Sequence, residues 1–477
     1  MSQPLIHRLL IAALAAFAAL ASVYVAVTPS ASPHKLVYLL IALSLTLTLA
    51  PHLFIVASVL VFAVSTASAS SVVSTLPVPL YVADLMVLLI AARGVFPRDR
   101  IPPKHPLSGL PSLLFGMWVV VMMIAAVRAM NTGVPLSSAI RGDVAVIYWP
   151  LLYFGFSRVL RERGLDVSLL WRALALVALA LAGWMFVARA FNQPFEDTGL
   201  AEVPIGEDTF VRRNYGFAAA FIVYPALALV GMAGMAYGAG HRWRWVLLAF
   251  VGTIATLTTL VRGEILGLAL GGLILLWLRP RRPATTARAR SSIQLAFALA
   301  AAALGLFILS PPLGNAVVQR ALPFTQQAEG AERNAEYRQK AVEAGFEVAR
   351  VHPMGLGVLD GARLDAWRID RGYLAHSGVA TVLLFGGWPA FVSALLAILA
   401  TLHRSFVLPK LTPWIHPAFV GVITMLCVYS IGAAGLAGDP WVIPLGALAV
   451  ALRFTLMPSQ QEGPDPNRVR SRTAADA

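Results

Sequence analysis

Long runs of uncharged, apolar residues recur along almost the whole chain, and their lengths leave few folds open. They lie near 7–27, 36–50, 51–68, 80–93, 109–128, 143–158, 168–190, 215–238, 245–261, 264–279, 293–310, 377–402, 413–432 and 441–457. A helix needs about 20 apolar residues to cross a hydrocarbon core of roughly 30 Å, and shorter runs cross with help from neighbours. In lipid each backbone polar group must pair within its own segment, so every run is expected to be helical. An alternating pattern of the β-barrel kind is not seen. The expected fold class is all-α: a polytopic integral membrane helix bundle of about 12–14 spans. Runs 36–50 and 51–68, split at Pro51, can instead form one broken or re-entrant element.

Composition agrees. Hydrophobic residues make up 58% and charged residues 13% of the 477, against about 25% charged in a soluble domain. The whole of 1–458 therefore reads as one bundle, and the polar, Pro-containing tail 459–477 as disordered and cytoplasmic. The first run follows His7 and Arg8 and is longer than the apolar core of a signal peptide, which makes it a retained first helix. Cys427 is the sole cysteine. It can form no disulfide within the chain and reads as a packing residue. P-loops, dinucleotide fingerprints and internal repeats are not found.

Basic residues set the orientation. Arg93, Arg98, Arg100 and Lys104 flank one loop, and Arg158, Arg161 and Arg163 another. Arg242 and Arg244, the run from Arg279 to Arg290, Arg404 with Lys410, and the tail arginines continue the series. Intervening loops are acidic or mixed, as with Glu196, Asp197, Glu202, Glu207 and Asp208. Both termini and the basic loops are expected to be cytoplasmic. The net charge of +14 follows from this asymmetry. Charge spread over many short loops makes no basic stripe, so nucleic acid is not an expected partner.

One long polar stretch, 311–376, interrupts the apolar series and is expected to face outward. Within it, Ala335 to Val351 has helical spacing, with Tyr337, Ala341, Ala344 and Val348 on one face. Glu336 with Lys340 and Glu347 with Arg350 lie at helical pair spacing. Pro353 should stop the helix, and Gly355 and Gly357 should open a tight turn. Alternating charges from Asp360 to Arg371 lead to His376, at the lip of the next span.

The order of these residues resembles the O-antigen ligase and O-antigen polymerase superfamily of bacterial envelope glycosyltransferases. A helix ends in His-Pro-x-x-Gly-x-Gly (His352, Pro353, Gly355, Gly357). His376 then opens a span carrying Gly386 and Gly387. Upstream, Thr258-Thr259-Leu260-Val261-Arg262-Gly263 joins two spans, as the family's Ser-Arg-Gly turn does. Arg212 and Arg213 end the preceding outer loop, where the family often carries an arginine. The likeness covers roughly residues 190–400. Two positions depart from the pattern: Ser377 stands where the family carries Asn, and Val261 precedes the turn arginine.

The resemblance implies transfer of a glycan from a polyprenyl-pyrophosphate carrier to an acceptor hydroxyl, at the outer face of the inner membrane. The leaving pyrophosphate needs cations, and arginine offers bidentate hydrogen bonds at fixed charge. Arg262 takes that role, with Arg212, Arg213 and Arg338 as pyrophosphate or glycan contacts. His376 is the acceptor-activating group, since imidazole titrates near pH ~6.5. No metal and no other cofactor are implied. The partners implied are the carrier-linked donor, a lipid or glycan acceptor, the membrane and other polysaccharide-assembly proteins. A flippase of lipid-linked sugar and a non-catalytic assembly scaffold are the other readings. Glu264 and Asp84 read as structural acids, His352 as a packing residue of the loop, and Trp388 and Trp441 as interfacial aromatics.

Overall fold

The computed structural model describes residues 47–65, 72–74, 80–96, 110–190, 202–204, 210–212, 220–237, 242–259, 261–278, 329–357, 369, 377–407, 414–432 and 442–455, with isolated positions between 294 and 308. The expected span at 7–27, most of those at 36–50 and 293–310, and the tail lie outside the described residues.

The helices are α1 (Pro51–Ser65), α2 (Val82–Val95), α3 (Leu110–Asn131), α4 (Leu136–Val159), α5 (Val167–Ala190), α6 (Ala220–Tyr237), α7 (Arg242–Thr259) and α8 (Arg262–Trp277), followed by α9 (Glu329–Val351), α10 (Gly378–Val407), α11 (Ile415–Gly432) and α12 (Val442–Thr455). Two short antiparallel hairpins join them: β1 (Val72–Ser74) with β2 (Leu80–Tyr81), and β3 (Glu202–Pro204) with β4 (Phe210–Arg212). The apolar runs locate the helices well. Helix α4 starts earlier than its run, because Ser137, Ser138, Arg141 and Asp143 belong to its first turns. Helix α9 starts at Glu329, ahead of the expected Ala335.

Helix α3, α5 over Val167–Val187, and α10 are long and apolar enough to cross a membrane. Shorter apolar helices run over Pro51–Phe62, Ile222–Tyr237, Gly263–Trp277, Ile415–Tyr429 and Leu445–Thr455. This is a membrane protein. Its exterior says the same: Leu113, Met117, Val120, Met123, Ile124 and Val127 of α3 are all exposed. So continuous an apolar face is rare on a soluble monomer and is what lipid solvates.

Apolar helices gain little from burial in lipid, so they associate through close van der Waals packing at small residues. Gly94 of α2 meets Gly155 of α4, Gly252 of α7 meets Ala228 of α6, and Gly271 of α8 meets Gly421 of α11. A Cβ on Gly252 would lie 2.5 Å from the Ala228 nitrogen. Helix α9 docks on α10 through Ala341, Gly345 and Ala349, which are buried. The buried stripe of small residues shares Ala341 with the expected face, Val348 of that face also packs against the core, and Gly345 and Ala349 extend it.

The helices alternate in direction, which gives the bundle two ends. Thr258 of α7 reaches Met185 near the end of α5, Oγ1 to Sδ 3.7 Å. The α7–α8 turn therefore shares an end with the C-termini of α3 and α5 and with the start of α10. At the other end Trp171, Trp245 and Trp414 cluster, with centroids 5.9 Å apart for Trp171 and Trp414 and 4.9 Å for Trp245 and Trp414.

That second end is also fastened by a buried ion pair. Arg93 of α2 donates to both carboxylate oxygens of Glu162, Nε to Oε1 at 3.0 Å and Nη2 to Oε2 at 2.6 Å. Its Nη1 donates to the carbonyls of Leu47 and Leu49, and the guanidinium sits 4.6 Å from the Phe54 ring centroid. Removing one partner strands the other's charge. Glu162→Ala should destabilise the protein by about 3–5 kcal/mol, read as a lower melting temperature in detergent. Replacing both partners with leucine should recover much of the loss.

Asp84, singled out as an acid within a span, lies in the first turn of α2 and is half-buried. A helix N-terminus favours negative charge there. Cys427 is packed against the core, as its lone apolar setting suggested.

Candidate functional site

The His-Pro-x-x-Gly-x-Gly segment forms a tight turn locked onto a break in α10. Helix α9 ends at Val351, its last turn closed by His352 N–H to Val348 O at 2.7 Å. Gly355 N–H then returns to His352 O at 2.8 Å. Gly355 and Gly357 have φ of 68° and 82°, a region that favours glycine.

The reason for the docking lies in α10. Pro389 has no N–H, so the carbonyl of Phe385, four residues back, loses its helical donor. Gly357 N–H takes that carbonyl at 2.9 Å. One residue earlier, the helical partners Leu384 O and Trp388 N–H both turn to the loop. Leu384 O accepts from Leu356 N–H at 2.7 Å, and Trp388 N–H donates to Pro353 O at 2.9 Å. Gly387, at φ 63° and ψ −153°, makes the break possible, in a region almost closed to other residues. The loop thus substitutes for the hydrogen bonds that α10 gives up.

A residue not singled out from the sequence completes the lock. Arg128, in the last turn of α3, donates Nη1 to Met354 O at 2.6 Å and Nη2 to Gly355 O at 3.3 Å. Beneath it the turn lies on α3 so closely that a Cβ on Gly357 would fall 2.9 Å from Ala125 O. In sequence Arg128 is one basic residue at the end of an apolar run, a pattern shared with ordinary interfacial anchors. Trp388, expected as an interfacial aromatic, packs against Phe346 of α9 at 5.6 Å and Phe391 at 6.1 Å.

Ser377 is the N-cap of α10. Its Oγ accepts from Ala380 N–H at 3.1 Å, and its carbonyl accepts from Thr381 N–H at 3.0 Å. Ser and Asn are equally good N-caps, so the departure from the resembled pattern at this position keeps the same local chemistry. His376, the residue before the cap, lies outside the described residues.

The second motif forms the sharp α7–α8 turn. Thr259 Oγ1 lies 2.7 Å from Thr256 O and 2.9 Å from Glu264 Oε2, and it accepts from Val261 N–H at 3.3 Å. Its single proton serves one of the two acceptors at a time. Glu264 is fully buried in the first turn of α8, so the acid beside Arg262 is a built part of the turn. Tyr429 of α11 covers it, its Cδ2 3.5 Å from where a Gly263 Cβ would stand. Among the described residues, no three His, Cys, Asp or Glu side chains gather as a metal ion would require.

The other site residues expected from sequence fall as follows. Arg262 is the first residue of α8, at the same end of the bundle as the 352–357 turn. Arg212 ends β4 and pairs in register with Glu202 of β3. Arg338 lies on α9, near the middle of the loop helix. Arg213 lies outside the described residues, as do Trp441 and the charged segment 358–368. The structure brings His352, Pro353, Gly355 and Gly357 together with Gly386 and Gly387, and adds Arg128 to them.

No protein-family model matches this chain, and no curated protein matches it either.

Proposed function

We propose that this protein is a membrane glycosyltransferase that moves a polyprenyl-pyrophosphate-linked glycan onto an acceptor hydroxyl. It would act at the outer face of a bacterial inner membrane, in O-antigen or exopolysaccharide assembly, as a polymerase or a ligase. The observation that supports this reading best is the interlock of the 352–357 turn with the break at Gly387. Residues separated in sequence, and singled out by their resemblance to one enzyme superfamily, meet through backbone hydrogen bonds. In this reading the lock holds α10, whose start follows His376 in sequence, and the α7–α8 turn that leads into Arg262 is a second ordered element of the site. A helix N-terminus and arginines both favour the charge that develops on a departing pyrophosphate. His376 takes the proton of the acceptor hydroxyl. The apolar helices beyond the three long ones are spans shortened at their ends, and the basic loops face the cytoplasm.

Deletion of the gene tests the reading and its branches. Long carrier-linked chains accumulate if the protein is a ligase, and single carrier-linked repeat units accumulate if it is a polymerase. An unchanged pool of carrier-linked glycan removes the enzyme reading. In the purified protein, Arg262→Ala should abolish transfer while membrane insertion persists. Arg262→Lys should be partly defective, since it keeps the charge and loses the bidentate fork. Wild-type transfer by Arg262→Ala reduces Arg262 to an interfacial anchor.

A further inference from the structure

The burial of α10 changes at its break. From Gly378 to Gly387 the helix is buried, with Val379 half-buried. From Trp388 onward an exposed apolar side chain returns at each turn: Trp388, Val392, Leu395 and Leu399. At about 1.5 Å per residue, Trp388 to Val407 rises about 29 Å, close to a hydrocarbon core of roughly 30 Å. The lipid-solvated stripe of α3 behaves alike. It runs from Leu110 to Val127, a rise of about 26 Å, and is followed by Arg128. A basic residue at the end of an apolar stripe carries its charge to the polar layer.

Both stripes end at the 352–357 turn. Trp388 N–H donates to Pro353 O, and Arg128 donates to the carbonyls of Met354 and Gly355. The turn presents apolar side chains outward: Pro353 is exposed, and Met354 is 49% exposed. Phe346 of α9, 37% exposed, continues this surface. Its ring centroid lies 5.6 Å from that of Trp388, itself 39% exposed, and 5.9 Å from that of Phe391.

Helix α9 therefore has three sides. Its small-residue stripe faces α10, a Cβ on Gly345 falling 3.1 Å from Ala380 Cα. Val342 and Phe346, one turn apart, share an apolar flank. Gln339, Glu343, Glu347 and Arg350 form an exposed polar side, where Gln339 Nε2 donates to Glu343 Oε1 at 2.7 Å. A helix with an apolar flank beside a charged side lies in the membrane interface, the flank among the lipids. A contiguous exposed apolar surface marks contact with lipid or protein. This one is continuous with two stripes that face lipid, and the continuity favours lipid as its occupant.

We propose that the end of α9 and the 352–357 turn are seated in the interfacial layer of the bilayer, with Phe346, Met354 and Trp388 among the lipid chains just below the headgroups. The polar side of α9 stays in water. The loop helix is thus tied to the membrane surface as well as to α10, and the lipid-crossing part of α10 begins at Trp388. The assignment does not rest on the transferase reading.

The test places a thiol-linked fluorophore on the full-length protein, in a Cys427→Ala background, in phosphatidylcholine nanodiscs. The lipid carries a nitroxide quencher either near the headgroup or near the chain end, and iodide is the quencher in water. Met354 enters the lock through its carbonyl, so its side chain is replaceable. A fluorophore on Met354→Cys should lose most of its emission to the headgroup-level nitroxide and little to iodide. On Glu347→Cys the reverse is expected. On Leu395→Cys, about 10 Å beyond Trp388 along α10, the chain-end nitroxide should quench best. Phe346→Cys takes the place of Met354→Cys should that variant fail to fold, and should show the same pattern. Iodide quenching on Met354→Cys equal to that on Glu347→Cys overturns the proposal by putting the turn in water. Protection from all three quenchers overturns it too, and points to a covering protein, a second copy included. Stronger quenching from the chain end than from the headgroup level overturns the placement at the border.

Discussion

Replacing His376 with alanine is expected to lower the rate of glycan transfer by about 10²–10⁴, the usual contribution of a positioned general base. Binding of the carrier-linked donor should change little, because arginines hold the pyrophosphate in the proposed mechanism. The wild-type rate should also fall as pH drops through the imidazole pKa, near ~6.5 when unperturbed. The protonated ring has no lone pair left to accept the acceptor's proton, so activity is present above that pH and lost below it. Single-turnover transfer with purified protein and carrier-linked donor measures the rate, and a donor-binding titration separates rate from affinity. A near wild-type rate for His376→Ala sinks the assignment. A variant that fails only because it no longer binds donor makes His376 a phosphate ligand instead.

The second large effect is expected at Gly387. Alanine there must adopt a backbone conformation that costs about 1–3 kcal/mol for residues other than glycine. Its Cβ would also collide with the Pro353 carbonyl, so the backbone has to move. The bonds from Trp388 N–H to Pro353 O and from Gly357 N–H to Phe385 O are then expected to break together, because both depend on the same break in α10. Transfer activity should fall to near background while the protein still inserts and the bundle persists. Limited proteolysis reads the loop directly: the segment after Val351 should become cleavable in Gly387→Ala and stay protected in the wild type. Gly116→Ala on α3, where a Cβ meets open space, is the matched control and should leave both readouts unchanged. An active, protease-resistant Gly387→Ala would show that the lock is dispensable.

Both experiments probe features that are unequally legible in the sequence. The helices were readable because lipid imposes a simple rule: a segment without water must satisfy its own backbone, and a long apolar run has one economical way to do so. Helix ends were less so. Ser137, Ser138, Arg141 and Asp143 belong to α4, since polar residues are tolerated where a helix emerges from the apolar layer. The face of α9 was legible in part: Ala341 and Val348 lie on the expected face and pack inward, while the small residues Gly345 and Ala349, which allow close approach to α10, carry no apolar pattern to announce them.

What the sequence by itself determined is the helical character, the polar loop helix stopped by Pro353, and the residue types at Gly355, Gly357 and Gly387 that admit unusual backbone angles. What the tertiary structure alone decided is which groups those residues serve. The carbonyls of Leu384 and Phe385 find donors in a turn about thirty residues earlier in the chain, and Arg128 reaches that turn from α3. A missing N–H at Pro389 announces an unpaired carbonyl without naming its donor. That donor is fixed by three helices packing side by side, and no local spacing encodes it.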